Sequence, residues 1–328
     1  MEPFADENAA TALTSQDFLG MGLEIAGHSK WEQYKLDRNV ERFKVAFGVI
    51  PETCASIWQD LRRREKINKQ SDPRHFLIGV RFLWKYEEEA DLARFFGIRT
   101  HQTVRKWWKI YVQIIESLLD EKVVSKKVMS WSLLLRTVTD DSLSVILLQM
   151  GTLEENDEGF IFMLSVDGIH CPIHEPRPLS VEWSSHKYGG KPGVNYEVGL
   201  LIHKPKLVWV NGYTKPGKVT DLCVFRDKLL PALASLPADR KVIADGIYAP
   251  EPDFVSFKND LDPQEIRHFK NRVCARHENF NGFLKQWGVL KTKFRHRVEL
   301  HSTCFRAVCT IAMHQIDTGG YSLLDPYP

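Results

Sequence analysis

Three acidic residues in the C-terminal half stand where a carboxylate could do chemistry. They are Asp167 after FIFMLSV, Asp245 after RKVIA, and Glu278 within the helix-like run PQEIRHFKNRVCARHENFNGFLKQW. Each aspartate ends a short apolar run, the point at which a buried strand delivers a side chain to a sheet edge. Mg²⁺ and Mn²⁺ prefer oxygen ligands, and two such ions can clamp the attacking and leaving oxygens of a phosphoryl transfer. Two strand-end carboxylates followed by a third on a later helix are therefore the order expected of a site that cuts or joins phosphodiesters. Ionised carboxylates so close repel one another, so the metal-free site is expected to be strained and metal binding to relieve it. Taken singly, Asp167-Gly168 and Asp245-Gly246 also read as turns. Glu278, nearly opposite the apolar stripe of its helix, likewise reads as a surface glutamate.

The elements that must position these residues follow from periodicity. FIFMLSVDG, YEVGLLIH, KLVWVNGY and RKVIADG are strand-like runs bounded by Gly, Pro, Asn and Asp, the middle two forming a hairpin around Lys204 and Pro205. VTDLCVFRDKLLPALASL has the apolar spacing of a crossover helix, which predicts a mixed α/β sheet. The late helix starts at Asp262 as N-cap with Pro263 and Glu265 behind it, and buries Ile266, Phe269, Val273, Phe280, Leu284 and Trp287.

From about 32 to 120 the pattern is helical, with apolar stripes through Phe43, Phe47, Ile57, Trp58 and Leu61 and through Phe76, Val80, Leu83 and Trp84. EEEADLARFFGIRTHQTVRKWWKIYVQIIESLL reads as a helix, a turn at Gly97 and a longer helix burying Val104, Trp108, Tyr111, Ile115 and Leu118. Arg99, His101, Gln102, Arg105, Lys106 and Lys109 are left at its start and outer side, where they suit phosphates and base edges. An ordinary helical hairpin with a solvated basic face fits the same pattern. Trp107 and Trp108 read as core rather than as base-stacking platforms.

The 328 residues are 43% hydrophobic, enough for one large core or two ordinary ones. Lys and Arg total 44 against 42 Asp and Glu, so any nucleic-acid surface must be local. The six cysteines have neither CxxC pairs nor zinc-finger spacing, which suggests reduced thiols in an intracellular protein. The N-terminus is acidic and lacks an apolar core, which argues against secretion. The apolar stretch 130–150 carries Arg136, Asp140 and Asp141, so no transmembrane helix is expected.

SVDGIH at 165–170, YEVGLLIHKPKLVWVNGYTKPGKVTDLCVFR at 196–226, VIADGIYAP at 242–250 and ARHENFNGFLKQWGVLKTKFRH at 275–296 resemble the DDE superfamily endonuclease domain of PIF/Harbinger-type transposases. FKVAFGVIPETCASIW and EEEADLARFFGIRTHQTVRKWW are similar to the helical DNA-binding region that precedes it in such proteins, and the likeness spans roughly residues 40–315. The resemblance implies an α/β fold: a ribonuclease H-like mixed-sheet catalytic domain preceded by an all-α helix-turn-helix-like domain. The corresponding boundaries are a flexible tail at 1–30, the helical domain at 31–125, a linker or insertion at 126–158 and the DDE endonuclease domain at 159–328.

It also implies metal-dependent cut-and-paste DNA transposition. Asp167, Asp245 and Glu278 would be catalytic and would hold two Mg²⁺ or Mn²⁺ ions. Asp221, matching a G-x-x-x-D-x-x-x-F pattern in GKVTDLCVFR, would be a further metal-site or supporting residue, or equally the N-cap of its helix. Lys285, Lys291, Lys293, Arg295 and Arg297 would line the DNA path, or be ordinary solvated cations. His170 reads as a polar rim residue, and His277 has no partner spacing that elevates it. The implied partners are transposon-end and target DNA, further copies of the chain assembled on DNA, and a Myb-like accessory protein; the implied location is nuclear, or cytoplasmic without that partner. A domesticated, catalytically silent DNA-binding descendant and a ribonuclease H-like nuclease of another kind are the alternatives. The segment 131–150 departs from the family pattern.

Overall fold

A computed structural model describes residues 11–28, 35–119, 161–176, 180–202, 206–234, 238 and 240–322. The segment 126–158, the first ten residues and the turn at Lys204 and Pro205 lie outside the described residues. Those described fall into two compact units, one within Met1–Glu121 plus Leu284–Ser322 and the other within Lys122–Phe283.

The first unit opens with helices α1 (Ser15–Ile25), α2 (Leu36–Phe47), α3 (Pro51–Arg63), α4 (Pro73–Lys85), α5 (Glu89–Phe95) and α6 (His101–Glu116). Helix α1 corrects the expectation of a tail through residue 30. Thr14 and Asp17 cap its start reciprocally, and Phe18, Leu19 and Leu23 are buried. Phe18 meets Trp58 edge-on at 6.2 Å and Phe76 at 5.8 Å, so its apolar face is part of the core. Between α5 and α6 the turn forms where expected: Gly97 takes φ 63°, and the Ile98 N–H donates to the Ala93 carbonyl at 2.9 Å. Val104, Trp108, Tyr111 and Ile115 are buried along α6, and Trp108 stacks on Phe82 at 3.8 Å.

The second unit is a mixed sheet with helices on both faces. Its strands are β1 (Ile161–Pro172), β2 (Ser184–Ser185), β3 (Lys191–Leu201), β4 (Leu207–Thr214), β5 (Arg240–Ala244) and β6 (Val255–Phe257). β1 pairs antiparallel with β3 and parallel with β5; β5 continues parallel to β6, while β2 and β4 pair antiparallel with β3. All four strands expected from sequence are present, and β2 and β6 are additions. Helices α7 (Asp221–Val224) and α8 (Leu230–Leu233), joined by a π turn at Phe225–Leu229, form the expected crossover. Their Phe225, Leu229 and Leu233 share a core with Leu164, Val166, Val242 and Ala244. Helix α9 (Gln264–Leu284) covers the opposite face, its Phe269 and Val273 packing on Ile202 and Ile243. Asp262, expected as its cap, accepts from the buried Lys270 ammonium at 3.1 Å.

After α9 the chain returns to the first unit. Helices α10 (Gly288–Lys291) and α11 (Glu299–Asp317) belong there, whereas the expected endonuclease domain ran to residue 328. The physical reason is α11's apolar content. Cys304, Phe305, Val308, Cys309 and Ile311 are buried, Arg306 ion-pairs with Glu116 of α6, and the Ser56 hydroxyl of α3 bonds the His314 ring. No helix among the described residues is long and apolar enough to cross a membrane.

Phe305→Ala should cost about 3–5 kcal/mol through the cavity it leaves. Hydrogen exchange should report the loss as reduced protection in Pro51–Arg63 and His101–Glu116; protection unchanged there would mean α11 does not support those helices.

Candidate active site

Strand alternation sets which face each carboxylate reaches. On β1, Leu164 and Val166 point into the core under α7 and α8, so Ser165 and Asp167 point to the α9 face. A register shift between Phe162 and Leu164 adjusts this alternation, so that Phe162 also packs on the α9 side. On β5 the same division puts Val242 and Ala244 under α7 and α8 and Ile243 with α9. Ser165 pairs with Ile243 in the parallel ladder, so Asp167 and Asp245, each two residues on, end up side by side where that pairing stops. Asp245 directly follows β5, whereas Asp167, expected at a strand end or in a turn, lies within β1, because the strand runs on to Pro172 paired with β3.

Helix α9 supplies the rest. Glu278 is exposed, as its place opposite the apolar stripe predicts. It lines a cavity of about 140 Å³ together with Asp167, Asp245, Ser165, Lys187, Cys274 and His277. The structure thus brings the three sequence-predicted acids to one cavity.

Asp221 comes from the other face. As the first residue of α7 it lies behind the Thr220 N-cap, so the capping alternative passes to its neighbour. A Cβ at position 168 would lie 2.7 Å from Asp221 Oδ2; glycine there is what lets this carboxylate approach β1. Asn195 Nδ2 donates to Asp221 Oδ1 at 3.4 Å, and His170 Nδ1 shares a 2.8 Å hydrogen bond with Asn195 Oδ1.

Hydrogen bonds fix the other acids too. Asp167 accepts from its neighbour Gly168's N–H at 2.8 Å and from Asn281 Nδ2 at 2.9 Å. Asp245 caps the turn Gly246–Tyr248, accepting from the Ile247 N–H at 3.0 Å. Burial, with smaller contributions from Asp245 and Asp221, pushes the Asp167 carboxyl up to about 6, against the Gly168 bond and the Lys187 charge. Asp221 is also held above its ordinary value by burial and by Asp245, opposed by Lys187 and Asn195.

The donor set suits a hard divalent cation: carboxylate oxygens surround the cavity, and the buried Asn281 Oδ1 has no hydrogen-bond partner among the described residues. As the side chains stand, no group of three or more His, Cys, Asp or Glu among the described residues is close enough to cage an ion.

Sequence reasoning passed over several residues here. Asn195 and Asn281 hold carboxylates, yet asparagine carries no period or motif that would single it out. His277, set aside at the sequence level, is buried with Nδ1 2.8 Å from Ser165 Oγ, while its Nε2 has no partner among the described residues. Burial and Arg276 lower its pKa to about 3, so the ring is neutral. Glu197, opposite Gly168 on β3, is a buried carboxyl that accepts from Trp209 Nε1 at 2.8 Å and from the Tyr248 hydroxyl at 3.5 Å.

All the residues expected to contact DNA fall in the first unit. Arg99, His101, Gln102, Arg105, Lys106 and Lys109 are exposed on and before α6, as are Lys291, Lys293, Arg295 and Arg297 after α9, whereas Lys285 is half-buried. Two of the arginines are engaged within the unit. Arg105 pairs with Glu89 at 2.5 Å; Arg295 pairs with Glu88 at 2.6 Å, donates to the Tyr86 and Glu87 carbonyls and lies over the Tyr86 ring. No family model, no curated protein and no solved structure matches the chain.

Burial, with a smaller contribution from Asp221, raises the Glu197 carboxyl from 4.5 to about 7, against its bonds from Trp209 and Tyr248. The folded chain therefore holds a proton that the unfolded chain has released across that window, and stability falls as pH rises through it. Glu197→Gln should flatten the slope between those pH values and stabilise the protein above it by up to about 3 kcal/mol. Urea unfolding across pH is the measurement, and an unchanged slope would show that Glu197 is ionised in the folded state.

Proposed function

We propose that the chain is a divalent-metal-dependent DNA nuclease of the DDE transposase type. The observation that carries this reading is the cavity at the end of β5 and beside the middle of β1, where Asp167 and Asp245 meet Glu278 from α9. The fold reading that goes with it, a ribonuclease H-like sheet, is supported by the antiparallel β1–β3–β4 ladders followed by parallel β5.

In this reading Asp167, Asp245 and Glu278 hold two Mg²⁺ or Mn²⁺ ions, with Asp221 behind Asp167 as a further ligand or supporting anion. Bound ions supply an acidified water and charge relief at the phosphate. The protein's part is orientation. Asn281 and the Gly168 N–H pin one carboxylate, the Ile247 N–H pins another, and Asn195, itself held by His170, pins Asp221. The proton that Asp167 holds below about pH 6 is displaced when a cation is bound, so affinity for the ion should rise as pH rises through that value. The resemblance to PIF/Harbinger-type transposases extends the proposal to strand transfer by a freed 3′-hydroxyl, action on transposon-end and target DNA, assembly of several copies, a Myb-like helper and a nuclear location.

Mn²⁺-dependent nicking of duplex DNA should fall at least a hundredfold in Asp167→Ala and Asp245→Ala, in line with the loss of a metal's transition-state stabilisation. A wild-type protein that binds DNA yet cuts no better than Asp167→Ala would favour the silent DNA-binding descendant instead.

Lys106 and Lys109 support the DNA assignment of α6, being exposed cations over the Trp107 and Trp108 rings at 4.8 and 5.7 Å. Replacing both with alanine should weaken duplex binding and reduce the slope of log affinity against log salt by about two. An unchanged slope in a salt titration would remove α6 from the phosphate path.

A further inference from the structure

The cavity that gathers the acids also contains a cation that the carboxylate set leaves unexplained. Lys187 is exposed in the single turn His186–Tyr188, and it is the only Lys or Arg among the described residues that line the cavity. Its place depends on the next residue. The Tyr188 ring stacks on His170 at 4.2 Å, with 15° between the planes. His170, on β1, is buried, and its ring lies against β3 where Gly193 leaves room, since a Cβ there would fall 2.0 Å from its Cε1. Through Asn195 the same imidazole connects to Asp221. A continuous chain of contacts therefore runs from the acids to the turn that carries Lys187.

A substrate phosphodiester is an anion, and a rim made of Asp245 and Glu278 alone would repel it at every point not screened by a metal ion. A lysine offers a compact charge with three donors on a flexible stem, suited to a phosphate oxygen. Being exposed, Lys187 keeps the freedom to leave the carboxylates. Two buried polar groups beside Asp167 also lack partners among the described residues: His277 Nε2, whose ring lines the cavity, and Asn281 Oδ1, so the pocket's own hydrogen bonding is incomplete.

We propose that Lys187 is a substrate-binding residue of this cavity, its ammonium holding a non-bridging oxygen of the phosphodiester while the Tyr188–His170 stack positions the turn. The assignment rests on the nuclease reading for its substrate class. Empty of substrate, the same ammonium partly neutralises the acids, which accounts for its opposing effect on Asp167 and Asp221.

Bis(p-nitrophenyl) phosphate, a small diester too short to span a DNA-binding surface, separates this from contacts elsewhere. Its affinity for the full-length protein is measured in Ca²⁺ and its turnover in Mn²⁺, with thermal melting to establish that each variant is folded. Lys187→Ala should weaken diester binding about tenfold, the loss of one charge-assisted hydrogen bond. Lys187→Arg and Tyr188→Phe, which keep the charge and the stack, should retain it, and Tyr188→Ala should lose part of it at unchanged Mn²⁺ affinity. Unchanged diester affinity in Lys187→Ala overturns the assignment, and so does a wild-type protein that binds no diester. A wild type that binds the diester in Ca²⁺ but never turns it over in Mn²⁺ sinks the nuclease reading alone, with the lysine still decided by the affinity comparison.

Discussion

Carboxylates crowded at one end of a sheet repel one another, and burial adds to the cost because it strips the charged forms of water. In the α/β unit this repulsion is the constraint to which the neighbouring groups answer. Asp167 is met by a backbone N–H and an asparagine amide, Asp245 by a backbone N–H, and Asp221 by a second asparagine, with Lys187 adding positive charge. What these donors do not offset remains visible in Asp167, whose carboxyl stays near 6.

The meeting of the acids in turn depends on backbone register. Parallel pairing of Ser165 with Ile243 aligns Asp167 with Asp245, and a slip of one residue in either strand would send one of them into the core beneath α7 and α8. Position 168 has to be glycine for a separate reason. It is the gap in β1 through which Asp221 comes up from the opposite face, and its partner across the ladder is the buried Glu197. Polar groups thus interrupt the sheet's apolar interior where the acids gather, a breach of the local rules of burial of the kind that functional sites show.

The helical unit follows ordinary apolar logic, closed by a segment remote in sequence. Tyr86 ends α4 in a left-handed conformation, and Arg295, more than two hundred positions on, donates to the carbonyls of Tyr86 and Glu87. Phe294 stacks on the Tyr86 ring at 5.6 Å, and His296 packs against Trp108 at 5.1 Å. Arg295 therefore ties the returning chain to α4, which sets it apart from the exposed lysines around it. Arg105 is likewise held by Glu89. A basic residue's spacing along a helix does not reveal such ties, because the partner lies on another element.

By itself the sequence determined the local elements and the order of the acids. Period-two and helical patterns were enough for β1, β3, β4, β5, the crossover and α9, and the apolar run before Asp245 marked the end of β5, because alternation and propensity act over a few residues; the run before Asp167 did not mark the end of β1, which pairing with β3 carries on to Pro172. The same local signals misjudged α1, whose capping box and Phe18 stripe were read as part of a tail, and the domain to which α11 belongs. Tertiary structure alone decided that Asp221 reaches β1 from the far face, that Asn195, Asn281 and Lys187 attend the carboxylates, and that Glu197 is buried below them. These depend on register, helix placement and the absence of one side chain at Gly168, which are properties of packed elements and have no period along the chain.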